Sequence, residues 1–108
     1  MGLSKLPKTY KECRTVLGYN DIITGHKNKL IYTFQRLLTC RDAYLKTMDW
    51  EPDWNDEEYK FVIINRGGRI VKDRLIAKNT LLAFPNEEIR DIFFNKFESL
   101  IEECKDLL

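Results

Sequence analysis

Apolar side chains recur every three or four residues along the C-terminal segment 85–108, a period that places them on one stripe of a helix. Pro85 suits the first turn of such a helix because it has no amide hydrogen to donate, and Glu87 and Glu88 put negative charge where the helix dipole is positive. Phe94 falls beside the stripe and widens the apolar face. The segment therefore predicts a long terminal helix that buries Ile89, Ile92, Phe93, Phe97, Leu100, Ile101, Cys104 and Leu108.

Two other helical patterns lie in the first half of the chain. Thr9 and Glu12 have the spacing of a capping box, and Gly18 is placed to end a short helix in the left-handed conformation. A second apolar period begins at residue 24 or 25 and continues to residue 48. The sequence therefore predicts a short N-terminal helix followed by a long one.

Between the long helices the pattern changes to that of β structure. Residues 59–65 are rich in β-branched and aromatic side chains, Arg66-Gly67-Gly68 can supply positive φ angles, and residues 69–72 resume the strand pattern. A third strand is expected around residues 81–84. The preceding segment, 49–56, combines a proline, turn formers and two tryptophans, which indicates an irregular loop.

The element order predicts a small α+β domain spanning residues 1–108, in which an antiparallel sheet packs against two long helices and one short N-terminal helix. Alternation along the first strand places Phe61 and Ile63 on one face and Val62 and Ile64 on the other, so both faces are partly apolar. An exposed apolar sheet face favours a protein partner or a homo-oligomer. Cover by the N-terminal segment is the alternative.

The composition limits the class of protein and its cellular compartment. The 108 residues are 44% hydrophobic and 32% charged, which is typical of a folded domain. No apolar run approaches the roughly 20 residues that cross a bilayer, and the N-terminus lacks a secretory hydrophobic segment. We therefore expect a cytoplasmic protein without membrane contact. Two of its three cysteines, Cys13, Cys40 and Cys104, lie on predicted apolar helix faces, and we expect all three to be reduced and to act as small hydrophobic residues.

Groups suited to catalysis or metal binding are scarce. His26 is the only histidine, and on the predicted helix it lies roughly 20 Å from Cys40 at 1.5 Å rise per residue. The cysteines lack the paired spacing of a zinc site, and the acidic loop 53–58 lacks the glycine of a calcium loop. The Gly67-Gly68 pair lies in a hairpin rather than in a phosphate loop. The sequence predicts no catalytic residue, no metal and no cofactor.

Basic residues cluster in and after the hairpin, although the formal net charge is only +1. Such a group can position a nucleic-acid backbone, and Tyr59 or Phe61 could stack on a base. Lysine and arginine also guard sheet edges against aggregation, which is the competing interpretation. The candidate nucleic-acid contacts are Arg66, Arg69, Lys72, Arg74 and Lys78.

The sequence also resembles a group of known proteins, and this resemblance implies an origin for the protein. The Leu-Pro-Lys-Thr opening, the helix core LLTCRDAYLK, the loop WEPDW and the closing LAFPNEEIRDIFFNKFESLIEECKDLL resemble small uncharacterised proteins encoded by phages and prophages of Bacteroides and related bacteria. The resemblance covers nearly the whole chain. It implies a mobile-element origin and brings no activity or functional residue with it.

The expected function is therefore that of a non-enzymatic phage or mobile-element protein in the bacterial host cytoplasm. It would act through protein contact, either as an accessory particle component or as an inhibitor of a host factor. A nucleic-acid-binding module using the basic hairpin is the alternative. An enzyme ranks third, because a substrate or metal would have to supply the missing groups. The candidate partner-binding residues are Trp50, Trp54, Val62, Ile64 and Phe94.

Overall fold

The computed structural model describes residues 5–18, 29–76 and 79–108. Within these ranges it contains three α-helices, three strands and a closing 3-10 turn. In chain order they are α1 (Tyr10–Leu17), α2 (Lys29–Met48), β1 (Lys60–Arg66), β2 (Arg69–Leu75), β3 (Leu82–Phe84), α3 (Glu87–Glu103) and the turn Lys105–Leu107. The predicted α+β class is confirmed.

Helix α1 begins and ends as its sequence predicts. The Thr9 hydroxyl oxygen accepts a hydrogen bond from the Glu12 amide at 3.1 Å, and Gly18 ends the helix with a φ of 78°. The Glu12 carboxylate accepts from the Lys8 amide at 3.4 Å, one residue earlier than in a standard capping box. The predicted start of α2 at residue 24 or 25 lies outside the described residues. No helix among the described residues has the length and apolarity to span a bilayer.

The sheet is antiparallel and has the order β2-β1-β3. Strands β1 and β2 form a hairpin in which Arg66 lies opposite Arg69, joined by Gly67 and Gly68 at φ angles of 65° and 89°. Positive φ at both central positions is the geometry of a type I′ turn, whose twist matches that of the strands. Strand β3 has three residues and pairs with the centre of β1. One long edge of the sheet, that of β2, is therefore unpaired within the described residues.

The core lies between the sheet and the helices α2 and α3. Tyr44 of α2 contacts three phenylalanine rings edge-on, with centroid distances of 5.0 Å to Phe93, 5.9 Å to Phe97 and 6.5 Å to Phe84. Edge-to-face pairs of this kind contribute beyond the area they bury. Helix α1 packs on α2, and the Lys46 ammonium group donates to the Val16 carbonyl at 3.0 Å.

Helix α3 differs from the sequence expectation at both ends. Pro85 does not lie in its first turn, because Asn86 is the N-cap and accepts a hydrogen bond from the Ile89 amide at 2.9 Å. The helix bends at Phe97, where φ is −123°, and ends at Glu103. The apolar period continues to Leu108 because the 3-10 turn keeps that residue partly buried against the core.

Candidate protein-contact surface

The two faces of the sheet have different neighbours. Ile63, Leu82 and Phe84 belong to the core, so their face is the one that packs on the helices, and we term it the inner face. Because side chains alternate along a strand, the neighbouring positions form the opposite, outer face. By the observed register, the outer face carries Lys60, Val62, Ile64, Arg66, Arg69, Val71, Asp73, Leu75 and Ala83.

One end of the outer face is closed by the tryptophan loop, residues 50–59. Lys60 is only 1% exposed, and its ammonium group lies 5.5 Å from the centroid of the Trp54 ring. The same group forms an ion pair with Asp56 and donates to the carbonyl oxygens of Glu58 at 2.9 Å and Ile76 at 3.4 Å. Three acceptors satisfy the three donors of a lysine. Lys60 thus holds the loop and the end of β2 against β1.

Val62, two residues after Lys60 on the same face, is also enclosed. Its side chain is 0% exposed, and its sheet partner Ala83 is 2% exposed. The expectation that Val62 contributes to an open partner-binding surface is therefore wrong. Trp54 is partly buried on Lys60, which makes it a ring that pins the loop.

The other end of the outer face remains open. Ile64 lies directly opposite Val71, and both side chains are partly exposed. Next to this pair, at the hairpin tip, the exposed side chains of Arg66 and Arg69 also face each other. Arg66 pairs with Asp73 on the same face, whereas Arg69 has no ion pair among the described residues. We term Ile64, Val71, Arg66 and Arg69 the hairpin surface.

The basic residues do not form one patch. Lys72 and Arg74 alternate with Val71 and Asp73, so they lie on the inner face, away from Arg66 and Arg69. The Lys72 ammonium group lies 3.6 Å from the Asp91 carboxylate, and the Arg74 guanidinium group lies 4.5 Å from the centre of the Tyr59 ring. Lys78 lies outside the described residues. The structure therefore divides the predicted group of five between two faces of a ribbon.

Phe94 and Trp50 lie apart from the hairpin surface. Phe94 is partly buried against the core, and the Lys72 ammonium group lies 5.2 Å from its ring centre. Trp50 is partly buried and lines a surface cleft of about 560 Å³ together with Asp42, Lys46 and Glu51. Of the five predicted partner-binding residues, only Ile64 lies on the hairpin surface.

The edge of β2 offers backbone groups. In the two-residue turn, the Arg69 amide faces the Arg66 carbonyl, and hydrogen-bonded pairs then alternate along the ladder. The backbone groups of Ile70, Lys72 and Arg74 consequently point away from β1. The Arg74 amide donates to the Asp73 carboxylate at 2.8 Å, whereas no described group pairs with the amides of Ile70 and Lys72. Asp73 therefore covers one position of an edge that no other described residue pairs with.

Sequence reasoning missed the role of Arg90. It is 7% exposed and lies between α3 and the sheet, where its guanidinium group donates to Asp91 at 2.9 Å and to the Asp73 carbonyl at 3.0 Å. It also lies 5.7 Å from the Phe61 ring centre. The available signal was its position directly after Ile89, at the border of the apolar stripe, where a long side chain can bury its stem.

Titration shifts follow from these contacts. The hydrogen bond from Arg66 lowers the pKa of Asp73, and the bond from the Arg74 amide lowers it further. The hydrogen bond from Lys60 lowers the pKa of Asp56.

In the core, a hydrogen bond with the Cys40 thiol and burial raise the pKa of Cys13. That thiol pair brings together two cysteines far apart in sequence, and Cys13, Cys40 and Cys104 are all free and buried.

Among the described residues, no group of three or more His, Cys, Asp or Glu side chains is arranged to hold a metal ion. Within the described ranges, the geometry instead presents a small apolar pair, a cation without an ion pair and an unpaired strand edge at one end of the sheet. Comparison with protein-family models, with curated proteins and with solved structures found no match to this chain.

Proposed function

We propose that this protein is a non-enzymatic binding protein that acts through protein contact at the hairpin surface. The observation that carries the proposal is the cross-strand pair Ile64–Val71, which stays partly exposed while Val62 on the same face is fully buried. Apolar side chains beside arginine agree with the centre of a protein interface, which is more apolar than the rest of the surface and enriched in arginine.

The charge arrangement favours a protein over a nucleic acid. Arg66 is paired with Asp73, and Lys72 lies near Asp91, so two of the four described candidate cations have a carboxylate close by. The remaining two, Arg69 and Arg74, lie on opposite faces. A phosphate backbone is held by several cations along one groove, which this division does not provide. Nucleic-acid binding is therefore the second candidate.

The setting of the contact is also a proposal. The resemblance to proteins encoded by phages and prophages supports a mobile-element origin, with the protein serving as an accessory particle component or as an inhibitor of a host factor in the bacterial cytoplasm. Either role needs a surface for protein contact and no catalytic group. The partner is then a protein of the host or of the phage, or a second copy of the chain.

The test is site-specific photo-crosslinking of the full chain expressed in Bacteroides cells. A photoreactive phenylalanine analogue replaces Val71 in one variant and Glu98, on the exposed side of α3, in the control. We expect a discrete adduct at position 71 that is absent at position 98, with mass spectrometry identifying the captured chain. Equal labelling at both positions, or none, would contradict the proposal.

Light scattering after size exclusion, at low and high salt, separates the two kinds of partner. A salt-resistant dimer whose adduct is a second copy assigns the contact to self-association. A monomer whose adduct is another protein assigns it to a separate partner. A monomer that shifts only with oligonucleotide, and only at low salt, would replace the proposal with the nucleic-acid alternative.

A further inference from the structure

We propose that the open edge of β2 binds an extended acidic peptide segment of the partner as a fourth, antiparallel strand. This inference rests on the proposed function and assigns its partner chemistry. Strand addition to a sheet edge takes its affinity from backbone hydrogen bonds and its selectivity from alternate side chains.

The backbone of the edge is suited to such pairing. Strand β2 has seven residues and pairs only with β1 in the described sheet. Its outward amides and carbonyls belong to Ile70, Lys72 and Arg74, because the hairpin register directs the alternate positions toward β1. The amides of Ile70 and Lys72 have no hydrogen-bond partner among the described residues. An added strand therefore meets donors and acceptors at the spacing of a regular ladder.

The side chains along the edge select against a second copy. Arg69, Lys72 and Arg74 give β2 three cations against the single carboxylate of Asp73, and the Asp91 carboxylate of α3 lies 3.6 Å from the Lys72 ammonium group. Two copies of β2 would bring together strands that each carry a net positive charge, and if they paired antiparallel about Lys72 the two ammonium groups would also lie directly opposite each other, which destabilises a sheet. A peptide with carboxylates opposite these three cations gains charge attraction on both faces. The same residues that guard the edge against self-association thus favour an acidic strand.

Asp73 already makes the contacts that an acidic strand would take over. Its carboxylate accepts from the Arg74 amide at 2.8 Å and pairs with the Arg66 guanidinium group. It therefore covers an outward amide of the edge and neutralises a cation at the hairpin tip. An incoming strand has to displace it, so removing this carboxylate should open the full edge.

The first experiment uses a fluorescein-labelled hexapeptide, Glu-Thr-Glu-Val-Ile-Glu, measured by fluorescence anisotropy with the full chain at low salt. Paired antiparallel, its three glutamates lie opposite Arg74, Lys72 and Arg69. Its first, third and fifth amides point toward β2. We expect N-methylation of these three amides to weaken binding by about tenfold or more, and N-methylation of the other three to change it by less than about twofold.

Variants of the protein provide the second comparison. Asp73→Ala should bind the hexapeptide at least about threefold more tightly, and Arg69→Glu should bind it at least about threefold more weakly. Glu51→Ala and Lys96→Glu make the same charge changes at exposed positions, Glu51 beside β3 on the other side of the sheet and Lys96 on α3, and should leave binding unchanged. Circular dichroism confirms that each variant is folded before it is titrated.

Two outcomes would overturn the inference. One is no hexapeptide binding by either the natural chain or Asp73→Ala. The other is equal binding of the two methylated peptides, which would mean charge attraction without strand pairing. If oligothymidylate also displaced the peptide in that second case, the edge would be assigned to phosphate. If the position 71 adduct persists in any of these cases, the proposed protein contact stands and uses the outer face instead.

Discussion

The buried ammonium group of Lys60 forms an ion pair with the carboxylate of Asp56, four residues earlier in the chain. The two side chains differ in solvent exposure: Lys60 is almost fully enclosed, whereas Asp56 is 40% exposed. The pair joins the tryptophan loop to the first residue of β1. A buried lysine without acceptors would be costly, so the loop and the strand depend on each other.

Lys60→Ala should lower the free energy of unfolding by about 2 to 5 kcal/mol, because it removes a buried aliphatic stem and leaves two carbonyl oxygens without their donor. Lys60→Met keeps the stem and should cost less. Chemical denaturation measures both values. In a Trp50→Phe background, Trp54 emission should shift to longer wavelength in Lys60→Ala only. A loss below about 1 kcal/mol for Lys60→Ala, the size of surface changes, would contradict the assigned burial.

Asp56→Asn tests the pH dependence of the same pair. The hydrogen bond from Lys60 lowers the pKa of Asp56 in the folded state. Its stabilisation is therefore complete above the unfolded value of about 3.9 and is lost as the pH falls through the lowered folded value. The difference in Tm between the natural chain and Asp56→Asn should be largest near neutral pH and should shrink below about pH 4. Glu57→Gln, an exposed neighbour, should show no such trend.

Phe97→Ala should cost about 3 to 5 kcal/mol, the range for removing a buried phenylalanine ring. The ring is 5% exposed and contacts Tyr44 and Phe93 at 5.9 Å and 5.0 Å between centroids. Ser99→Ala, on the exposed side of α3, is the matched control. Urea unfolding gives both values, and similar losses for the two variants would show that the core is assigned to the wrong side of the helix.

The thiols should be inert in the folded protein. Burial raises the pKa of Cys104, and the contact with Cys40 raises that of Cys13, so the reactive thiolate is scarce at both. We expect iodoacetamide to leave the native chain unmodified near pH 8 and to alkylate all three cysteines in denaturant. Ser99→Cys supplies an exposed thiol that should react under native conditions. Rapid native alkylation of Cys13 or Cys104 would contradict this packing.

Local signals explain why most elements were predictable. Thr9 starts α1 and Gly18 ends it, each through contacts within one helical turn. Gly67 and Gly68 fix the hairpin register through their own backbone angles. The start of α3 was misplaced because both Pro85 and Asn86 carry helix-start signals. The asparagine side chain makes the capping hydrogen bond, so the helix begins after it.

The candidate surface was less predictable, since exposure depends on what packs against a strand. Val62 and Ile64 have the same chemistry and face the same side, yet only Val62 is fully buried. Val62 lies next to Lys60 on the outer face, towards the end that the tryptophan loop closes, whereas Ile64 lies towards the hairpin tip. The tryptophan loop closes this end because Trp54, Asp56 and the end of β2 all contact Lys60. The hydrophobic period of the sequence does not predict such contacts.

The sequence by itself determined the α+β class, the helix and strand periods and the hairpin turn, because these depend on side chains within a few positions of one another. Only the tertiary structure decided that Lys60 and Arg90 are buried and that Cys13 meets Cys40. It also decided that the basic residues divide between two faces, leaving Arg69 beside the open pair Ile64–Val71. These relationships depend on how elements distant in the chain pack against each other, because that packing determines both the solvent exposure of each side chain and the charged groups beside it.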